Sequence, residues 1–173
     1  MRFLTLLALL LLLSSGCKRR HHPSPGATIE EESELAMAIS VADPRDASQL
    51  LSGFHALEQN AWRWTMRRFA VSLATPASAS TRGAKLELRF VLPDAVAAQL
   101  LGVTITPSIS GAKAGTCRVE KPGEQSCAFL VAPELLKGDA VIVQFDLDKA
   151  IAPSAGDSRE LGVIVFRTGF APQ

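Results

Sequence analysis

Strict alternation of polar and apolar side chains dominates the middle of the chain. In Lys85-Leu86-Glu87-Leu88-Arg89-Phe90 an extended backbone puts Leu86, Leu88 and Phe90 on one face and the three charges on the other. A helix would scatter those apolar groups around its circumference, so the segment reads as a half-buried strand. Val141, Val143, Phe145 and Leu147 repeat at the same spacing, with Gln144 and Asp146 on the opposite face. Val103-Thr104-Ile105-Thr106 alternates too, and further strands are expected over residues 36–41, 62–66, 69–74, 127–131 and 162–166. Two short helices are expected, one over 47–51 capped by Asp46 and one over 95–101 capped by Asp94 after Pro93. Neither a βαβ rhythm nor a repeat of fixed period is present. The pattern predicts an all-β domain over residues 35–173, a single antiparallel β-sandwich of jelly-roll type with one or two short helices.

The N-terminus reads differently. Arg2 precedes an apolar run over residues 3–13, broken only by Thr5. That run matches the apolar region of a secretory signal and is too short to span ~30 Å of hydrocarbon as a helix. It ends in Leu13-Ser14-Ser15-Gly16-Cys17, which resembles the lipobox of bacterial lipoproteins. The resemblance implies cleavage after residue 16 and lipid attachment at Cys17, with the membrane as partner. The family's usual Leu stands three residues before the Cys; here that place holds Ser14. A plain secretory leader followed by an unrelated Cys is the alternative. Lys18 directly after Cys17, in place of Asp, implies an outer-membrane destination in a Gram-negative envelope. Lys18, Arg19 and Arg20 suit anionic headgroups, each contributing ~1 kcal/mol near such a surface. Residues 17–34 form a polar tether containing Pro23, Pro25 and Gly26, and the adjacent His21 and His22 read as part of it rather than as a metal site.

Charge narrows the function classes. The 18 Lys+Arg nearly balance the 17 Asp+Glu, which argues against a nucleic-acid surface. With Tyr absent and two Trp, a broad aromatic platform is not available. Cys117 and Cys127 are symmetric about Pro122, which opens a Pro122-Gly123 turn. A hairpin turning there would set them opposite one another, within reach of a disulfide, in a compartment that permits oxidation.

Catalytic signatures are thin. His55 and Glu58, three residues apart, would share a helical face, yet nothing near them completes a metal-ligand set. A nucleophile elbow, a P-loop and a dinucleotide glycine fingerprint are all missing from the sequence. No enzyme, cofactor or metal is therefore expected. Trp62-Arg63-Trp64-Thr65 carries the most information. On a strand, the two Trp share one face and Arg63 takes the other. Either the Trp pair stacks on a ligand such as a sugar ring while Arg63 forks onto polar groups, or the Trp fill the core and Arg63 pairs with an acid. Asp157-Ser158-Arg159-Glu160-Leu161-Gly162 is a second charged patch, from which Arg63 or Arg159 is expected to pair with Asp157, Glu58 or Glu160.

Gly53-Phe54, Glu58, Arg63-Trp64-Thr65 and the closing Asp157-x-Arg159-x-Leu161-Gly162 carry a resemblance over about residues 46–170. Together they look like a small β-sandwich module of bacterial surface-polysaccharide and glycosyltransferase-associated proteins. That resemblance implies a galactose-binding-like jelly roll. The expected role is a non-catalytic envelope module, with glycan contact at Glu58, Trp62, Arg63, Trp64 and Arg159; the alternatives are a structural lipoprotein that meets an envelope protein through a sheet edge and, less favoured, a hydrolase. Members usually carry an aromatic-Tyr-Pro-Pro-Glu run where this chain has Phe54-His55-Ala56-Leu57-Glu58.

Overall fold

Each strand pairing among the described residues is antiparallel. The structure, a computed structural model, describes residues 35–171. The leader, Cys17 and the tether lie outside the described residues. The strands are β1 (Ala38–Ser40), β2 (Leu50–Phe54), β3 (Arg63–Ala74), β4 (Ala84–Leu92) and β5 (Thr104–Ile109). They continue as β6 (Ala112–Lys113), β7 (Cys117–Arg118), β8 (Gly123–Val131), β9 (Ala140–Leu147) and β10 (Ile164–Phe170). Helices α1 (Ala79–Arg82) and α2 (Asp94–Leu100) are short, as are the 3-10 turns Pro44–Gln49 and Pro133–Leu135.

The first sheet runs β1-β10-β4-β8 and the second runs β2-β3-β9-β5. Twelve-residue β3 belongs to both: Arg63 and Trp64 pair with β10, and Arg68 to Ala74 pair with β9. The sheets thereby join into one curled surface that closes on its apolar side. Leu86, Leu88, Phe90 and Leu92 of the first sheet meet Phe69, Val71, Leu73, Val143 and Phe145 of the second in a single buried cluster. The Phe69 and Phe145 rings stack at 4.8 Å, and Phe54 meets Phe69 edge-on at 5.3 Å. This is the antiparallel β-sandwich that the alternation predicts.

Local chemistry explains the departures from expectation. Residues 62–66 and 69–74 fuse into the single strand β3. The expected helix over 47–51 is instead the 3-10 turn ending at Gln49, followed directly by β2. Asp43 rather than Asp46 caps that turn, accepting from the Arg45 N–H, while Asp46 accepts from the Ser40 N–H at 2.8 Å. Gln49 is fully buried, and its amide binds both Ala36 main-chain groups and the Ser72 carbonyl, a set that a continuing helix would break. Asp94 is the first residue of α2, and Pro93 holds the cap position without a side-chain bond. β5 has β9 on one side and two short partners on the other. β7 covers Thr104 and Ile105, and β6 covers Ser108 and Ile109. Pro107 falls between them, where its missing N–H interrupts the ladder. Ser110 and Gly111, both at positive φ, make the two-residue turn from β5 to β6.

Candidate functional site

The residues singled out by sequence meet at one end of the sandwich. Asp157 and Arg159 lie in the long connection from β9 to β10, and Glu58 lies in the connection from β2 to β3. Arg159 joins the two connections: Nη1 donates to Glu58 Oε1 at 2.6 Å and Nη2 to Asp157 Oδ2 at 2.8 Å. Its Nε also donates to Asp157 Oδ1 at 3.0 Å, so all three guanidinium nitrogens face carboxylates. The Arg159 guanidinium, helped by the Arg159 main-chain N–H, holds the Asp157 carboxyl down at about 2. Asp157 first and Glu58 second hold the Arg159 pKa up in turn. The ion pair expected of this patch is present, made by Arg159 and not by Arg63.

Arg63 has different partners. Its Nε donates to the Val41 carbonyl and its Nη1 to the His55 carbonyl, both at 3.0 Å. Those are main-chain oxygens rather than an acid. His55 Nε2 lies 2.7 Å from the Glu160 carbonyl, which accepts only and so places a ring proton on that nitrogen. Glu160 Oε1 accepts from the Arg67 N–H at 2.7 Å. Thr65, fully buried, exchanges main-chain bonds with Gly162 and Val163, and a Cβ on Gly162 would collide with the Thr65 hydroxyl. Trp62 bridges Glu58 through main-chain hydrogen bonds, and its buried indole Nε1 has no acceptor. Trp62 and Trp64 are both half-buried. Neither belongs to the core cluster or to the half-buried apolar residues packed on it, so the core is built from Phe, Leu, Ile and Val instead. This end of the molecule is a clamp in which Arg63 and Arg159 donate to the protein itself.

Cys117 and Cys127 form a disulfide, with Cα atoms 6.0 Å apart. The expected hairpin is not its cause, because β7 pairs with β5 and β8 with β4.

Exposed polar groups collect elsewhere, on the outer face of the second sheet. A trough of about 450 Å³ lies over β3, β9 and β5, lined by Arg68, Thr106, Ser108, Lys113, Gln144 and Asp146 among others. It continues past Ser108, Gly111 and Gln144 into a second hollow of about 640 Å³ beside Leu135, Lys137 and Ile142. Register explains the lining. Arg68, Ala70 and Ser72 of β3 stand opposite Asp146, Gln144 and Ile142 of β9, which face Thr106 and Ser108 of β5. Asp146 is held on both oxygens, by Arg68 Nε at 2.6 Å and by Gln144 Nε2 at 3.0 Å. Ser108 Oγ reaches only the Gln144 carbonyl, at 3.5 Å, and Ile142 is 58% exposed. The alternation had marked Gln144 and Asp146 as outward-facing. Nothing in the sequence groups Arg67, Arg68, Thr106, Ser108 and Lys113 with them, because only strand order brings these residues alongside.

Among the described residues no group of His, Cys, Asp and Glu is arranged to hold a metal ion, and no helix is long and apolar enough to cross a membrane. No protein-family model matches the chain, and neither does any curated protein. Among solved structures, 79% of the chain superimposes on part of a glycoside hydrolase family 43 arabinoxylan arabinofuranohydrolase from Bacillus subtilis, with TM-score 0.41 and 11% identity. It matches an exo-beta-1,3-galactanase from Phanerochaete chrysosporium with TM-score 0.41 and 9% identity, and the CBM51-2 and INT domains of ZmpB from Clostridium perfringens with 0.34 and 11%. The chain spans 24%, 29% and 28% of those three structures, respectively.

Proposed function

We propose that this chain is a lipid-anchored, non-catalytic module of the bacterial cell envelope whose sandwich holds a glycan along the outer face of the second sheet. The trough over β3, β9 and β5 is the observation that carries the reading. Its hydroxyl, amide and ammonium groups suit sugar hydroxyls, and exposed Ile142 suits the apolar face of a pyranose ring. Both Asp146 oxygens are engaged, which suits recognition better than proton transfer. The leader and Cys17 supply the anchor, with two or more acyl chains holding the protein on the bilayer. A glycan array probed with the full mature chain tests the site. Gln144→Ala combined with Lys113→Ala should weaken retention at least about tenfold while leaving the melting temperature unchanged. A wild-type chain retained by no glycan, or retention indifferent to these substitutions, overturns the reading. Cys17→Ser tests the anchor by fractionation: the variant should leave the firmly bound membrane fraction, and a mature variant that stays there overturns lipidation.

A further inference from the structure

We propose that the outer face of the first sheet carries an oxyanion site between Arg89 and Arg167. On β4, Leu86, Leu88 and Phe90 are buried, which turns Lys85, Glu87 and Arg89 outward. On β10 a register shift between Val165 and Arg167 brings Arg167 directly opposite Arg89. Cross-strand neighbours on one face stand ~4.5–5.5 Å apart at Cβ, and like charges placed so destabilise the pair. The charge on Arg89 is shared: Nη2 donates to Glu124 Oε1 at 2.7 Å, and the guanidinium lies 5.6 Å from the Phe166 ring centroid. Arg167 has no ion pair or hydrogen-bonded acid among the described residues and is exposed to solvent.

A cleft of about 50 Å³ opens between the two arginines, walled by Glu87, Thr168 and Gly169, with Ala38 of β1 at its rim. Lys85 Nζ lies 2.5 Å from Glu87 Oε1 and offsets its charge, and Thr168 Oγ1 donates to the Glu87 carbonyl at 2.9 Å. Gly169 contributes no side chain, and a Cβ there would strike Ala38. The space admits one small group. The Arg167 fork and the remaining Arg89 N–H groups across a cleft of this size match the oxygens of a phosphate or carboxylate, and bridging by such an anion turns the repulsion between the arginines into paired contacts. The ligand is thus a single oxyanion group, whether a phosphate or the carboxylate of an acidic sugar. The site lies on the opposite sheet from the glycan trough and does not depend on it.

Thermal melting of the full mature chain in inorganic phosphate, in galacturonate and in chloride at matched ionic strength tests the site. Phosphate, galacturonate or both should raise the melting temperature above chloride, and the active probe identifies the oxyanion. Arg167→Gln should abolish that increment and, without oxyanion, melt no lower than wild type, because the like-charge pair is gone. Arg167→Lys keeps the charge without the fork and should bind about tenfold more weakly. No stabilisation beyond chloride by either probe, or an Arg167→Gln response equal to that of wild type, overturns the proposal.

Discussion

Cys117 and Cys127 sit on different sheets. Cys117 pairs across the ladder with Ile105 of the second sheet and Cys127 with Leu88 of the first, so their disulfide ties the sandwich together at the side where β5 and β8 are the outer main strands. Such a bond does more than close a turn. It joins two layers that are otherwise continuous only through the β3–β10 pairing, at the middle of the strand order.

Replacing both Cys with Ser should therefore lower stability by about 2.5–3 kcal/mol, the chain-entropy value for a loop of this length. Urea unfolding under non-reducing conditions measures it. The loss should come with earlier hydrogen exchange in β7 and β8, and an unchanged midpoint would contradict the role given to the bond.

Arg63→Ala should lower the melting temperature. The substitution strips the Val41 and His55 carbonyls of a charged donor at a half-buried position, which costs ~1–3 kcal/mol. Glycan retention by the folded variant should stay as in wild type, since Arg63 points into the clamp. A variant with normal stability and lost retention would move the binding site to the clamp.

Acid should loosen the clamp at a definite point. The folded Asp157 carboxyl sits at about 2, below its ordinary value of 3.8, so its contribution is complete above pH 4 and is lost as pH falls toward 2. Asp43, held to about 2 by Arg45, behaves the same way. Melting temperature measured between pH 5 and pH 2 should fall less steeply for Asp157→Asn than for wild type. Parallel curves would show that Asp157 does not contribute.

Gly53→Ala should be among the most damaging small substitutions. Gly53 has φ +75°, and a Cβ there would run into the Arg68 carbonyl of β3. The left-handed backbone alone costs ~1–2 kcal/mol for a non-glycine residue, and the collision pushes β2 off its partner. Circular dichroism melts quantify the effect, and a shift of under a degree would refute the argument.

The amino-acid sequence by itself determined which side chains turn inward. Period-two alternation is a property of one strand's own backbone, so Leu86, Leu88, Phe90, Val143 and Phe145 were legible as core with no partner in view, and with them the antiparallel sandwich. It likewise determined that Arg159 would meet acids, because Asp157 is two residues away and an Asp side chain readily reaches the main chain two residues on. Tertiary structure alone decided who stands beside whom. The strands share similar apolar faces, and nothing local distinguishes β4 from β7 as the neighbour of β8; burial of one common core selects among those pairings. That selection placed Cys117 and Cys127 on separate sheets, gave Arg63 two carbonyls instead of a carboxylate, and left both Trp outside the core. It also brought Arg68, Gln144 and Ser108 from three strands into one trough, and Arg89 level with Arg167 across two.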